Sequence, residues 1–108
     1  MLKLYPLYSG SSGNMYLIKS PTSAVLVDIG VSFKSLVTSL ENLQMTIDDI
    51  SALFITHEHS DHTKGIKVFT KKHKSRLIMT QGTYEALVKT DVLDNANECS
   101  IITPDGID

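Results

Sequence analysis

Three of the chain's four histidines and an aspartate fall within six residues of "FITHEHSDHTKG" (54–65), as His57, His59, Asp61 and His62. Neutral imidazole is the commonest metal ligand, and imidazole with carboxylate suits zinc, and also iron or manganese. Random placement of these residue types gives the pattern His-x-His-x-Asp-His in roughly 4 of 10,000 such chains, which makes it a strong short motif. In extended backbone, positions 57 and 59 point to the same side and can take one ion together. Asp61 and His62 lie past the bend and are placed for a second. A catalytic zinc needs three protein ligands plus water. The loop offers at most two per ion, so each site needs another ligand from elsewhere. A structural zinc site is disfavoured because such sites usually carry thiolates, and the loop has none. The bland alternative is a solvated polar loop.

Ligating histidines also need partners on their other ring nitrogen. Thr56, Ser60, Thr63 and backbone carbonyls are the nearby candidates. Asp28 closes the apolar run "VLVDIG" (25–30), and strand ends are where sites are built in sheet proteins. It reads as linked to the site, with local capping of the following turn as the alternative. His73 lies in the basic segment "KKHKSR" (71–76) and reads as a surface histidine. Lys71, Lys72, Lys74 and Arg76 could contact phosphates or simply form a solvated helix end. Cys99, the only cysteine, permits no intramolecular disulfide and reads as a small buried hydrophobe. "SGSSGN" (9–14) lacks the lysine of a P-loop and opens no helix. A hairpin turn is expected there.

These residues need a scaffold. "LKLYPLY" (2–8) alternates as a strand does, and Pro6 places it at an edge or a strand end. "MYLIKS" (15–20) is the next strand. "AVLVDIG" (24–30) reads as a strand buried on both faces. The three suggest an antiparallel meander. From Ser32, an N-cap candidate, Phe33, Leu36, Val37, Leu40 and Leu43 recur at helical spacing and predict a helix over 33–43. "TIDDI" (46–50) is a connecting turn. "SALFIT" (51–56) is a buried strand that delivers the histidines. A weaker helix near 63–73, a strand at 76–80, a helix at 82–93, a strand at 99–104 and a turn at "DGID" complete the chain. Strands followed by alternating strands and helices imply helices packed on a sheet.

The 108 residues, 42% hydrophobic and 20% charged, describe one ordinary globular domain, 1–108, or a piece of one. With a net charge of −2, no general basic field draws in nucleic acid. No apolar stretch approaches a membrane span. "MLKL" runs straight into the first strand with no signal-peptide pattern, so a cytoplasmic location is expected.

"THEHSDH" (56–62) resembles the signature motif of the metallo-β-lactamase fold superfamily, and "VLVDIG" resembles the strand that ends in an aspartate in those proteins. "LYSGSSGNMYLI" (7–18) followed by "VLVDIG" is similar to the YycJ/WalJ-like branch, which includes metal-dependent exonucleases. The resemblance implies the N-terminal half of an αββα sandwich, an α/β (α+β) fold with a mixed, mainly antiparallel sheet and helices on one face. It implies that His57 and His59 bind a first ion and Asp61 and His62 a second, commonly Zn²⁺, with Mn²⁺ or Fe as options. Asp28 would orient the motif loop. The nucleophile would be a water activated by the ions, with Asp61 positioning it or accepting its proton. Family members are roughly twice this length or more, and their later part contributes another histidine, a bridging aspartate and a final histidine. No histidine follows His73, and Asp91, Asp94, Asp105 and Asp108 lack a family-like context. A truncated chain is therefore expected, with an open face that invites self-association.

Two classes of function follow. One is a dinuclear metal hydrolase, a phosphodiesterase acting on nucleic acid, with lactone, thioester or β-lactam hydrolysis as variants. The other is an inactive half-domain that binds metal weakly or acts by association.

Overall fold

A computed structural model describes residues 1–94 and 99–106. Six strands form one sheet in sequence order: β1 (Lys3–Tyr8), β2 (Met15–Lys19), β3 (Ala24–Val27), β4 (Ile50–Phe54), β5 (Arg76–Met79) and β6 (Cys99–Ile101). The helices are α1 (Phe33–Asn42), the single turn α2 (Ser60–Thr63), α3 (Ile66–Lys72) and α4 (Gln81–Lys89). The last two residues of the expected "DGID" turn, Asp108 among them, lie outside the described residues.

β1, β2 and β3 form the expected antiparallel meander, with β1 and its Pro6 at the sheet edge. The other three pairings, β3–β4, β4–β5 and β5–β6, are parallel. The sheet is therefore mixed, as expected, but not mainly antiparallel. The reason is connectivity: a helix joins each of these strand pairs, and such a crossover returns the chain in the same direction. Because the strand order never reverses, right-handed crossovers put every helix on the same face.

That face holds the core. Leu17, Leu26, Leu53 and Leu77 share one row across β2–β5 and bury against Leu36 and Leu40 of α1, Ile66 and Phe69 of α3, and Leu87 of α4. Ser32 caps α1 as its spacing predicts, its hydroxyl accepting from the Ser35 N–H at 3.2 Å.

The opposite face carries a second apolar layer. Register puts Leu4, Ile18, Val25 and Ala52 in one row, and Pro6, Tyr16, Val27, Phe54 and Ile78 in the next. None of these residues belongs to the core described above. Leu4 is 63% exposed, and Ile18, Val25, Tyr16, Val27 and Phe54 are half-buried. The expectation that 24–30 is buried on both faces is thus corrected: Ala24 and Leu26 are buried, whereas Val25 and Val27 face the open side.

Candidate metal centre

β3 stops at Val27, earlier than its apolar run suggests, because Asp28 takes φ +64°. This left-handed conformation is one that aspartate tolerates better than most residues, and it turns the chain out of the strand. The Asp28 N–H still pairs with the Phe54 carbonyl at 2.8 Å, so the residue stays fastened to β4. Beyond it, Ile29 donates to the His62 carbonyl at 3.0 Å and Gly30 to the Asn14 carbonyl at 2.8 Å. A Cβ on Gly30 would lie 1.8 Å from the Asp61 carbonyl oxygen. No side chain fits there, and the missing one is what lets the histidine loop close on the end of β3.

β4 ends at Phe54, two residues before the expected Thr56, although Ile55 still donates to Ile78 at 2.9 Å. Residues 56–58 then leave the sheet, and Ser60–Thr63 make one helical turn with His59 at its N-cap. Asp61 and His62 sit on that turn, half-buried, whereas His57 and His59 are exposed. The chain therefore bends between His57–His59 and Asp61–His62, as the spacing predicts.

Asp28 is only 2% exposed and is the hub of the polar contacts. Its Oδ1 accepts the Thr56 N–H at 2.8 Å. Its Oδ2 accepts the Thr56 hydroxyl at 2.5 Å and pairs with His62 Nδ1 at 2.7 Å. A carboxylate can only accept, so His62 donates from Nδ1, and in the neutral ring the lone pair is on Nε2. Thr56 has one hydroxyl proton, and Asp28 takes it. Thr56 Oγ1, 3.0 Å from His57 Nδ1, must therefore accept from that nitrogen. His57 thus also donates from Nδ1, and in its neutral ring the lone pair is likewise on Nε2. One buried carboxylate sets two imidazoles in the tautomer that a cation needs. Thr56 was among the candidate partners; its role as a relay between Asp28 and His57 was not legible, because it depends on where Asp28 lies.

His62 Nε2 and Asp61 Oδ2 are 3.6 Å apart. Adjacent donors on a tetrahedral cation with bonds of about 2.0–2.1 Å lie about 3.3–3.4 Å apart, so this pair fits one ion. The His57 and His62 rings are 4.6 Å apart, and those of His57 and His59 are 6.3 Å apart. Among the described residues, no group of three or more His, Cys, Asp or Glu side chains forms a complete cage.

Asn14 was missed as a contributor to this centre. It ends "SGSSGN" and touches Asp61 through backbone and side chain. Its signal was only its type, since asparagine at a turn commonly bonds backbone groups.

His73 is not a solvated surface residue. Its Nε2 bonds the Ile50 carbonyl at 2.8 Å, and its ring packs edge-on against Phe69 with centroids 5.4 Å apart. Ile50 begins β4, whereas the histidine loop follows its end. Lys71, Lys72 and Lys74 flank His73, and Arg76 opens β5, so the basic run lies at the far end of the sheet from the loop. Cys99 is partly buried in β6, and burial pushes its thiol up. No described helix is long and apolar enough to cross a membrane.

A family model for the metallo-beta-lactamase superfamily matches residues 8–98. The chain is 36% identical over 87 residues to exodeoxyribonuclease WalJ of Streptococcus pneumoniae, covering 81% of this chain and 32% of that protein. It is 36% identical over 81 residues to exodeoxyribonuclease YycJ of Bacillus anthracis, covering 75% and 31%. Among solved structures, the Rm3 metallo-beta-lactamase superposes with a TM-score of 0.67 at 22% identity, over 79% of this chain and 32% of that one. The chain spans about a third of the length of the curated relatives it matches. The family model across most of its residues and the identity to both exodeoxyribonucleases agree: this chain belongs to the metallo-beta-lactamase superfamily, in the YycJ/WalJ-like branch.

Proposed function

We propose that this chain supplies the first ligand cluster of a metal-dependent hydrolase that cleaves phosphodiester bonds in nucleic acid. The observation that carries the reading is the engagement of both inner nitrogens, His62 Nδ1 by Asp28 and His57 Nδ1 by Thr56, which leaves the two Nε2 atoms for a cation. Both relatives at 36% identity are exodeoxyribonucleases, whereas the 22% likeness to a metallo-beta-lactamase reflects the fold alone, which favours nucleic acid over a lactone, thioester or β-lactam.

In this reading His57 and His59 hold one ion and Asp61 and His62 hold the other. Zn²⁺ fits the nitrogen and oxygen donors, as do Mn²⁺ and iron. When bound, the ions supply an acidified water and charge neutralisation for the phosphate. The chain's own contribution is orientation. Asp28 holds His62 in place, Thr56 holds His57, and the turn of α2 keeps Asp61 beside His62. Asp61 also positions the attacking water or takes its proton. Each ion needs at least one further ligand, and the length that the relatives have beyond the matched part has room for it. The apolar face of Leu4, Ile18, Val25, Tyr16, Val27 and Phe54 is then where a second half packs, or where copies of this chain self-associate.

The test measures metal per chain and hydrolysis of single- and double-stranded DNA with added Zn²⁺ or Mn²⁺. Hydrolysis that His59→Ala abolishes supports the enzyme. Metal content well below one ion per chain, with no hydrolysis, overturns it in favour of an inactive half-domain.

A further inference from the structure

We infer that Asn14 is a positioning residue for Asp61, tying the glycine- and serine-rich turn to the cation centre; this rests on the metal reading of residues 57–62. Asn14 is 47 residues from Asp61 in sequence and contacts it three times. Its backbone N–H donates to the Asp61 carbonyl at 2.8 Å. Its side-chain Nδ2 lies 3.2 Å from that same carbonyl and 3.3 Å from the carboxylate Oδ2. Nδ2 also donates to the Gly10 carbonyl at 3.1 Å, while Oδ1 accepts the Gly10 N–H at 3.2 Å. The backbone carbonyl accepts from Gly30.

This network fixes the amide's orientation. Reversing it would set an oxygen against three acceptors and a donor against an N–H. Two Nδ2 hydrogens serve three oxygens, so one is shared between the Asp61 carbonyl and its carboxylate. A carboxylate on a one-turn helix can otherwise exchange among its staggered rotamers. Asn14 restrains the Oδ2 atom, and Oδ2 is the atom that faces His62 Nε2 at 3.6 Å. The donor therefore acts on the half of the centre formed by Asp61 and His62. His57 is held independently, by Thr56.

A residue that merely closed the 9–14 turn would hold Gly10 and leave Asp61 unaffected. The two roles separate in an NMR titration of the isotope-labelled chain with Zn²⁺, following the imidazole signals of His57, His59 and His62 individually. Asn14→Ala is expected to raise the Zn²⁺ concentration that half-shifts the His62 signal by about 10-fold, in line with the loss of an outer-shell partner. The His57 and His59 responses are expected to stay near those of the unaltered chain. The metal-free couplings of Asp61 are expected to change from one rotamer to an average. If Asn14→Ala does not fold, Asn14→Ser serves, since its hydroxyl is too short to hold both Gly10 and the carboxylate. An unmoved His62 response and an unchanged Asp61 rotamer overturn the inference alone. No imidazole response in the unaltered chain overturns the metal reading and the inference together.

Discussion

Asp28 and His62 meet at 2.7 Å across 34 residues of sequence, a buried carboxylate against the inner nitrogen of a half-buried imidazole. The contact joins the end of β3 to the turn after β4, two segments held side by side by parallel pairing of Val27 with Phe54. Replacing the carboxylate by an amide keeps the shape and removes one acceptor from a group serving three donors. Asp28→Asn is expected to weaken Zn²⁺ binding by about 10–100-fold and to cost about 1–3 kcal/mol of stability. Calorimetric Zn²⁺ titration and urea unfolding measure the two effects separately.

Gly30 tests whether the centre depends on close backbone approach. Gly30→Ala places a methyl group within bonding distance of the Asp61 carbonyl oxygen and 2.6 Å from the Asn14 nitrogen. All three segments must then shift. The expected loss exceeds about 2 kcal/mol in urea unfolding, with a fall in Zn²⁺ affinity in whatever fraction folds. Wild-type stability in this variant would mean that the loop does not sit against β3.

His73 separates structure from function among the histidines. His73→Leu leaves the Ile50 carbonyl without its 2.8 Å partner. A cost of about 1–2 kcal/mol is expected, with Zn²⁺ affinity unchanged because the residue sits at the opposite end of β4. A large loss of metal binding on this substitution would place His73 in the centre after all.

The open sheet face predicts association. Sedimentation velocity over a concentration series is expected to show species larger than the monomer, and Val27→Lys to return them to monomer. Val27 is half-buried on that face and outside the helix-covered core, so the variant is expected to fold. A chain that stays monomeric at all concentrations refutes the association.

Cys99 gives a pH signature. Desolvation raises its thiol pKa, so less thiolate is present at a given pH in the folded chain than in the unfolded one. Iodoacetamide labelling is expected to be slower in the folded chain, with its pH midpoint displaced upward. Folding favours the neutral thiol. The associated stability is present below the unfolded pKa and is lost as pH rises through the folded value.

The sequence alone determined the types and spacing of the proposed ligands and most elements of the scaffold, because those depend on local chemistry and short periods. His57, His59, Asp61 and His62 announce a cation by type, and α1 announces itself through Ser32 and the leucines that follow. Strand ends were less legible. Apolar character continues past Val27 and Phe54, whereas the backbone departs at Asp28 through a positive φ that no hydrophobic pattern encodes. Three features were decided only by tertiary structure. Parallel pairing set β3 beside β4 and so brought Asp28 to Thr56 and His62. The Gly30 gap allowed Asn14 to reach Asp61. The register of α3 against β4 turned His73 inward to a carbonyl. Each is a meeting of residues far apart in the chain. The physical reason is common to all: a hydrogen bond is directional and short, and whether two distant groups come within its reach depends on strand pairing and packing rather than on either group's own neighbours.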